Sequence, residues 1–142
     1  MKSIIIYNTM SGNTEELANK MKDILEKNGH QVDIFRDKEI KSQIKEQENY
    51  FKPYDLLILG SCTHAGAPAM SFKSVVKLIG KKNLENKKLI CFGTSGSPTM
   101  WKKTCKSIKK RVPELEHIGD VGCSMRENEE AVKNFEELIK KL

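Results

Sequence analysis

Chemistry-bearing residues concentrate in three short stretches of this chain. The first is Asn8-Thr9-Met10-Ser11-Gly12-Asn13-Thr14, the second Ser61-Cys62-Thr63-His64-Ala65-Gly66-Ala67-Pro68, and the third Thr94-Ser95-Gly96-Ser97. The first brings three hydroxyls and a glycine to the point where an apolar run gives way to a helical pattern. A helix N-terminus leaves backbone amides unpaired and carries the positive end of the helix dipole, so such a loop suits a phosphate. Asn13 and Glu16 also have a plainer role open to them as helix caps, but capping alone does not require Thr9, Ser11 and Thr14 together. The loop has neither the GxxxxGKS/T pattern of a nucleoside-triphosphate loop nor the GxGxxG of a dinucleotide site. It contains no lysine to balance a phosphate.

The three stretches hold no acid–base pair and no nucleophile beside a base, so no catalytic residue is expected among them. Cys62, Cys91, Cys105 and Cys123 are widely spaced and form no CxxC. That spacing argues against a zinc site, a thioredoxin-type motif or a disulfide framework, and fits reduced thiols in a cytoplasm. Cys105 and Arg111 share the C-x5-R spacing of cysteine phosphatases, which need it as a phosphate-wrapping loop directly after a strand. Here it lies within a helical stripe and has no glycine.

Periodicity defines the elements that must position these loops. Residues 3–7, 55–60 and 88–93 are short continuous apolar runs, the pattern of strands buried on both faces; 31–35 reads as another strand and 117–123 as a weaker last one. Leu17, Ala18, Met21, Ile24 and Leu25 mark a helix stopped by Asn28-Gly29, and Phe72, Val75, Val76 and Ile79 mark another ending at Gly80. Ile40 and Ile44 alone are in phase over 37–50, which predicts a weak, exposed helix. Ser97-Pro98 is expected to open a helix with a cap and a proline in its first turn, its core stripe being Trp101, Cys105, Ile108 and Val112. Ser124-Met125-Arg126-Glu127 reads as a capping box for a last helix with Ala131, Phe135, Leu138 and Leu142 inward. Strand and helix alternate five times over 1–142, which predicts one α/β domain, a parallel sheet with helices on both faces. Its length fits a five-stranded sheet of order 2-1-3-4-5, and ligands then bind at the carboxyl ends of strands 1, 3 and 4, where the three loops lie.

At this point the residues resemble a known family. Ile5-Ile6-Tyr7-x-Thr9-x-x-Gly12-x-Thr14-x-x-x-Ala18 is similar to the flavodoxin signature, whose loop commonly reads Ser/Thr-x-Thr-Gly-Asn-Thr; this chain has Thr-Met-Ser-Gly-Asn-Thr. Tyr54-Asp55-Leu56-Leu57-Ile58-Leu59-Gly60-Ser61 resembles the family's third strand entering its isoalloxazine loop. The resemblance implies a short-chain, flavodoxin-like fold with FMN as cofactor. It places the phosphate on Thr9, Met10, Ser11, Gly12, Asn13 and Thr14. The ring falls beside Ser61, Cys62, Thr63, His64, Ala65 and Gly66 on one side and Thr94, Ser95 and Gly96 on the other. Gly66 is then the peptide that hydrogen-bonds flavin N5 when it is protonated. Flavodoxins often sandwich the ring between two aromatic residues, and these loops contain none. Trp101 has a core reading and a flavin-stacking one, His64 a flavin-edge and a solvent one, and Cys62 a redox and a packing one.

The implied function is electron carriage between redox partners, with the protein a carrier rather than a stand-alone enzyme. The alternative is an FMN-dependent reductase, or the flavin subunit of one, acting on a quinone- or tetrapyrrole-type acceptor; a non-redox module that has lost flavin is a third reading. The net charge of +6 comes from 22 Lys and 3 Arg against 19 acidic residues. Scarce arginine and aromatics argue against nucleic-acid binding. Lys102, Lys103, Lys106, Lys109 and Lys110 fall in one arc opposite the helix stripe. Lys102, Lys103 and Lys106 are the expected docking area for an acidic redox partner. No apolar run approaches the roughly 18 residues of a membrane span, and no signal-peptide pattern opens the chain. The expected setting is a cytoplasmic monomer or weak dimer.

Overall fold

The apolar runs become interior strands in a computed structural model that describes residues 1–142. The element order is β1 (Lys2–Asn8), α1 (Asn13–Lys27), β2 (Gln31–Arg36), α2 (Asp37–Glu46), β3 (Leu56–His64), β4 (Ala67–Pro68), α3 (Met70–Gly80), β5 (Lys88–Ser95), α4 (Trp101–Arg111), β6 (Glu116–Ser124) and α5 (Glu129–Ile139). The five long strands are all parallel, in the order β2-β1-β3-β5-β6. Counting long strands alone, this is the expected 2-1-3-4-5. The short β4 is an addition, paired antiparallel to the end of β3.

Successive side chains on a strand face opposite ways, and the two cores divide accordingly. Ile4, Ile6, Leu57, Leu59, Leu89 and Cys91 pack with residues of α2, α3 and α4. Ile5, Ile58, Ile90, Phe92 and Val121 pack with α1 and α5. Burial of each such isoleucine or leucine contributes about 1.5–3 kcal/mol, so both layers hold the strand register firmly.

Three local expectations need correction. The helix over 37–50 ends at Glu46, and it is not merely an exposed one: Ile40 and Ile44 are fully buried. Phe51 and Tyr54 from the following segment close the same core. The fourth helix starts at Trp101, not at Ser97-Pro98. Ser97 Oγ does accept the Met100 N–H, but the Lys102 and Lys103 amides bond three residues back, making a tighter opening turn. The capping box at 124–127 does not form. Ser124 is held in β6 opposite Ser95, and Asn128 takes the cap position with its Oδ1 accepting from Lys20.

Candidate functional site

The sheet register delivers the three loops side by side. Asn8 stands opposite Ser61, and Cys62 opposite Thr94. The strands therefore end level, and an open cleft of about 210 Å³ lies between them, lined by Met10, Ser11, Asn13, Cys62, Thr63, His64, Thr94, Ser95, Gly96 and Met125. Except for Met125, every one was a sequence candidate. Thr9, Gly12, Thr14, Ser61, Ala65 and Gly66, the remaining candidates, brace the cleft rather than line it.

The first loop turns on Gly12, which has φ +90° and precedes the first residue of α1. Its N–H donates to Thr9 Oγ1 at 3.0 Å, and its carbonyl accepts the first helical bond from Glu16. The amides of Asn13, Thr14 and Glu15 consequently have no backbone acceptor. A Cβ on Gly12 would meet nothing within 4 Å, so the approach to these amides is open. Thr14 is fully buried and its hydroxyl lies 2.7 Å from that of Thr94, tying the first loop to the third. Of the three hydroxyls expected to surround a phosphate, only Ser11 is wholly exposed; Thr9 keeps its own proton free to donate while accepting from Gly12.

A cation does stand at this loop, contrary to the reading from the loop sequence. Arg36 Nη2 donates to the Thr9 carbonyl at 2.7 Å, and its buried Nε has no partner. Arg126 Nε donates to Asn13 Oδ1 at 3.2 Å. Two of the chain's three arginines thus bond to one seven-residue stretch. The strand order held the signal for Arg36, because β2 lies beside β1 and its last residue must stand next to the loop that β1 enters.

The second loop is a two-residue hairpin between β3 and β4. Ala65 (φ 49°) and Gly66 (φ 76°) are both left-handed, as a type I′ turn requires. Alanine tolerates that conformation at a cost of about 1–2 kcal/mol. Thr63 Oγ1 lies 2.8 Å from Thr104 Oγ1 on α4, and the buried Ser61 Oγ accepts from the Ala69 N–H, so the hairpin is anchored on both sides.

Behind the hairpin runs a chain of hydrogen bonds that the sequence did not disclose. The Cys62 thiol donates to Asn8 Oδ1 at 3.2 Å and lies 3.3 Å from His64 Nε2. A thiol therefore does stand beside a base, contrary to the reading of the loops, because residues two apart on the end of β3 share a face. Asn8 Nδ2 donates to Asp37 Oδ2 and Ser71 Oγ, and Ser71 Oγ donates to the same carboxylate. Asp37 is fully buried at the start of α2. Burial pushes the Cys62 thiol above its ordinary pKa, so at neutral pH it stays protonated and packs as a thiol. His64 is exposed at the rim.

At the third loop Ser95 Oγ accepts the Trp101 N–H and donates to the Ser97 carbonyl. Trp101 takes its packing role. Its ring covers Gly122, where a Cβ would fall 2.1 Å from Cδ2, and its indole N–H donates to the Pro98 carbonyl. Instead of aromatic rings, two exposed methionines flank the cleft, Met10 and Met125. Met125 sits at φ 52°, held by its N–H to the Ser95 carbonyl.

The fold and this cleft define an open parallel α/β protein with unpaired amides at the strand-to-helix turn after β1 and an open space beside it. The family is shown by a model for Flavodoxin that matches residues 5–119, and the chain belongs to that family. Over 99% of its length it is 26% identical to the flavodoxin-like domain-containing protein BilS of Clostridioides difficile, spanning 75% of that protein. Its fold superposes with a TM-score of 0.83 on rubredoxin oxygen:oxidoreductase from the anaerobe Desulfovibrio gigas, at 18% identity over 98% of this chain; the chain spans about a third (34%) of that protein. It also superposes with a TM-score of 0.73 on the flavodoxin of Fusobacterium nucleatum bound to flavin mononucleotide, at 12% identity over 99% of this chain and 95% of that one. Family membership assigns FMN as the cofactor and electron transfer as the function. The residues fit that cofactor: three free amides behind an unobstructed Gly12, a buried unpaired Arg36 Nε, and small residues at 94–96. No helix is long and apolar enough to cross a membrane.

Proposed function

We propose that the chain acts over 1–142 as one FMN-carrying unit that passes electrons to and from a separate redox partner. The observation that carries this reading is the first loop, where the Asn13, Thr14 and Glu15 amides and the Ser11 hydroxyl converge between Arg36 and Arg126. These groups would hold the phosphate of FMN, and residues 61–66 and 94–96, with Met10 and Met125, would hold its ring. FMN when bound supplies one-electron redox chemistry. The protein's part is to fix the phosphate, keep the hairpin at the ring's edge and present that edge to a partner. Cys62, His64 and Asp37 position the loops, and no side chain is needed as nucleophile or proton donor.

The partner docks beside α4. Lys102, Lys103, Lys106, Lys109 and Lys110 are all exposed on one face, and the Lys103 stem approaches Gly66 of the hairpin. A basic rim of this kind steers an acidic surface toward the cleft. A second reading, the flavin subunit of a reductase for a flat acceptor, draws on the absence of any aromatic ring over the cleft; turnover of a quinone or tetrapyrrole by the isolated chain separates it from the carrier reading.

The test is flavin titration of the Gly12→Val/Thr14→Ala variant. Charge-assisted bonds to the phosphate contribute roughly 1.5–3 kcal/mol each. The variant should therefore bind FMN ten- to a hundredfold more weakly while keeping its fold by circular dichroism. Equal affinity in a folded variant overturns the placement.

A further inference from the structure

We propose that Cys91, His117 and Asp120 form a second binding site, for a borderline-soft divalent cation of the zinc class, on the sheet face beneath α4. The Cys91 Sγ, a His117 ring nitrogen and an Asp120 carboxylate oxygen all lie within 4.8 Å of one another. Thiolate, imidazole and carboxylate are the three donor types of protein zinc sites, with bond lengths of about 2.0–2.3 Å. Around a tetrahedral ion such donors stand about 3.3–3.7 Å apart, so binding draws the widest pair in by about an ångström and parts His117 from Asp120, whose 2.7 Å hydrogen bond the ion replaces.

A backbone irregularity assembles the cluster. In a regular strand residues 117 and 120 face opposite sides of the sheet. Between Leu89 and Ile90 of β5 the register of β6 shifts: Leu89 pairs with His117 but Ile90 with Gly119. One extra residue in β6 turns His117 and Asp120 to the same face, with Asp120 directly opposite Cys91. The two side chains already meet, His117 Nε2 to Asp120 Oδ1 at 2.7 Å, and both are only partly exposed. Cys91 is fully buried behind them, and Cys105 on α4 is the neighbouring second thiol, its ionisation opposed by burial first and then by Cys91 and Asp120. Lys109 is the cation facing the same thiols and favours their ionised form.

Binding replaces the Cys91 S–H bond with an S–metal bond and releases the proton to solvent, so uptake liberates protons and strengthens as pH rises. The ion would tie the edge strand β6 to β5 three residues back from Thr94, about 10 Å from the flavin cleft at 3.3 Å per residue. The site and the FMN reading are thus independent.

The experiment is a calorimetric titration of the full, FMN-loaded chain with Zn2+, and a difference absorption spectrum with Co2+, whose thiolate complexes show a charge-transfer band. Wild type should bind one equivalent with that band. Cys91→Ser should lose the band, and His117→Asn and Asp120→Asn should each weaken binding at least tenfold. FMN binding by every variant reports that it has folded; His117 and Asp120 are at the surface and keep the test decisive if Cys91→Ser unfolds. Absence of uptake by wild type, a band retained in folded Cys91→Ser, or a band lost in Cys62→Ser instead would each overturn the proposal.

Discussion

The cleft at the ends of β1, β3 and β5 and the cluster between β5 and β6 both gather polar groups on one sheet, by opposite means. The cleft is made mainly of backbone. Gly12 frees three amides, Ala65 and Gly66 make a tight left-handed turn, and hydroxyl pairs such as Thr14 with Thr94 hold the loops together. The cluster is made of side chains that a single register shift brings to one face. The difference teaches where each kind of site is vulnerable. Backbone sites fail when a turn residue gains a side chain, whereas side-chain sites fail when a donor atom is lost.

The largest expected effect that sharpens this contrast is at Arg36. Its removal by Arg36→Ala deletes the bond to the Thr9 carbonyl and the cation behind the 9–14 loop. A hydrogen bond from a charged group contributes about 1.5–3 kcal/mol. FMN affinity should fall ten- to a hundredfold by fluorescence titration, with metal uptake at the β5–β6 cluster unchanged. Loss of both together would show that the two regions are not separate.

Gly66→Ala comes next. The alanine would sit at φ 76°, with its Cβ 3.3 Å from Lys103 Cδ and 3.4 Å from Met100 Cε. Denaturant unfolding should show a loss of about 1–2 kcal/mol from the left-handed backbone, and the hairpin's hold on the flavin edge should loosen. An unchanged midpoint would mean that the turn is not the constraint described.

Alkaline pH should act on the buried side chains and spare the backbone cleft. Burial holds the Cys91 and Cys105 thiols well above their ordinary 9.0 and Cys123 at about 11. A group with a raised folded pKa contributes its stability fully below the unfolded value, and that contribution is lost as pH rises through the folded one. Melting temperature should hold up to about pH 9 and decline from there through pH 11. A flat profile across that window would contradict the burial of these thiols.

The smallest effect is at the docking rim. Lys102→Glu/Lys106→Glu should slow electron transfer to an acidic partner at low salt, and the difference should fade as the Debye length shrinks from about 10 Å at 0.1 M toward 3 Å at 1 M. A rate insensitive to both salt and charge reversal would leave the lysines without a docking role.

The comparison also explains what the amino-acid sequence made legible. Uninterrupted runs such as Ile4-Ile5-Ile6-Tyr7 and Leu56-Leu57-Ile58-Leu59 declare strands buried on both faces, and strand order then locates the loops. The unpaired amides behind residues 9–14 could be read because a helix start is a local property of the chain. Arg36 could be read only at one remove, through the predicted strand order that lays β2 against β1, and not from the residues of the loop itself. Met125 reaches the cleft because Ser124 stays in the sheet, which the apparent capping box obscured. The Cys62–Asn8–Asp37–Ser71 network joins four elements and has no signature in spacing, and the β6 register shift is marked only by Gly119, a residue that strands also carry without a shift.

The central claim is that residues 9–14 hold the phosphate of FMN, and the most direct measurement compares FMN with riboflavin, which lacks it, in wild type and in Gly12→Val. The phosphate's contribution is the ratio of the two affinities, so any general loosening of the cleft cancels. Wild type should prefer FMN by a factor of at least ten, and Gly12→Val should lose most of that preference while binding riboflavin nearly as before. An equal preference for FMN in both proteins would place the phosphate elsewhere and contradict the account.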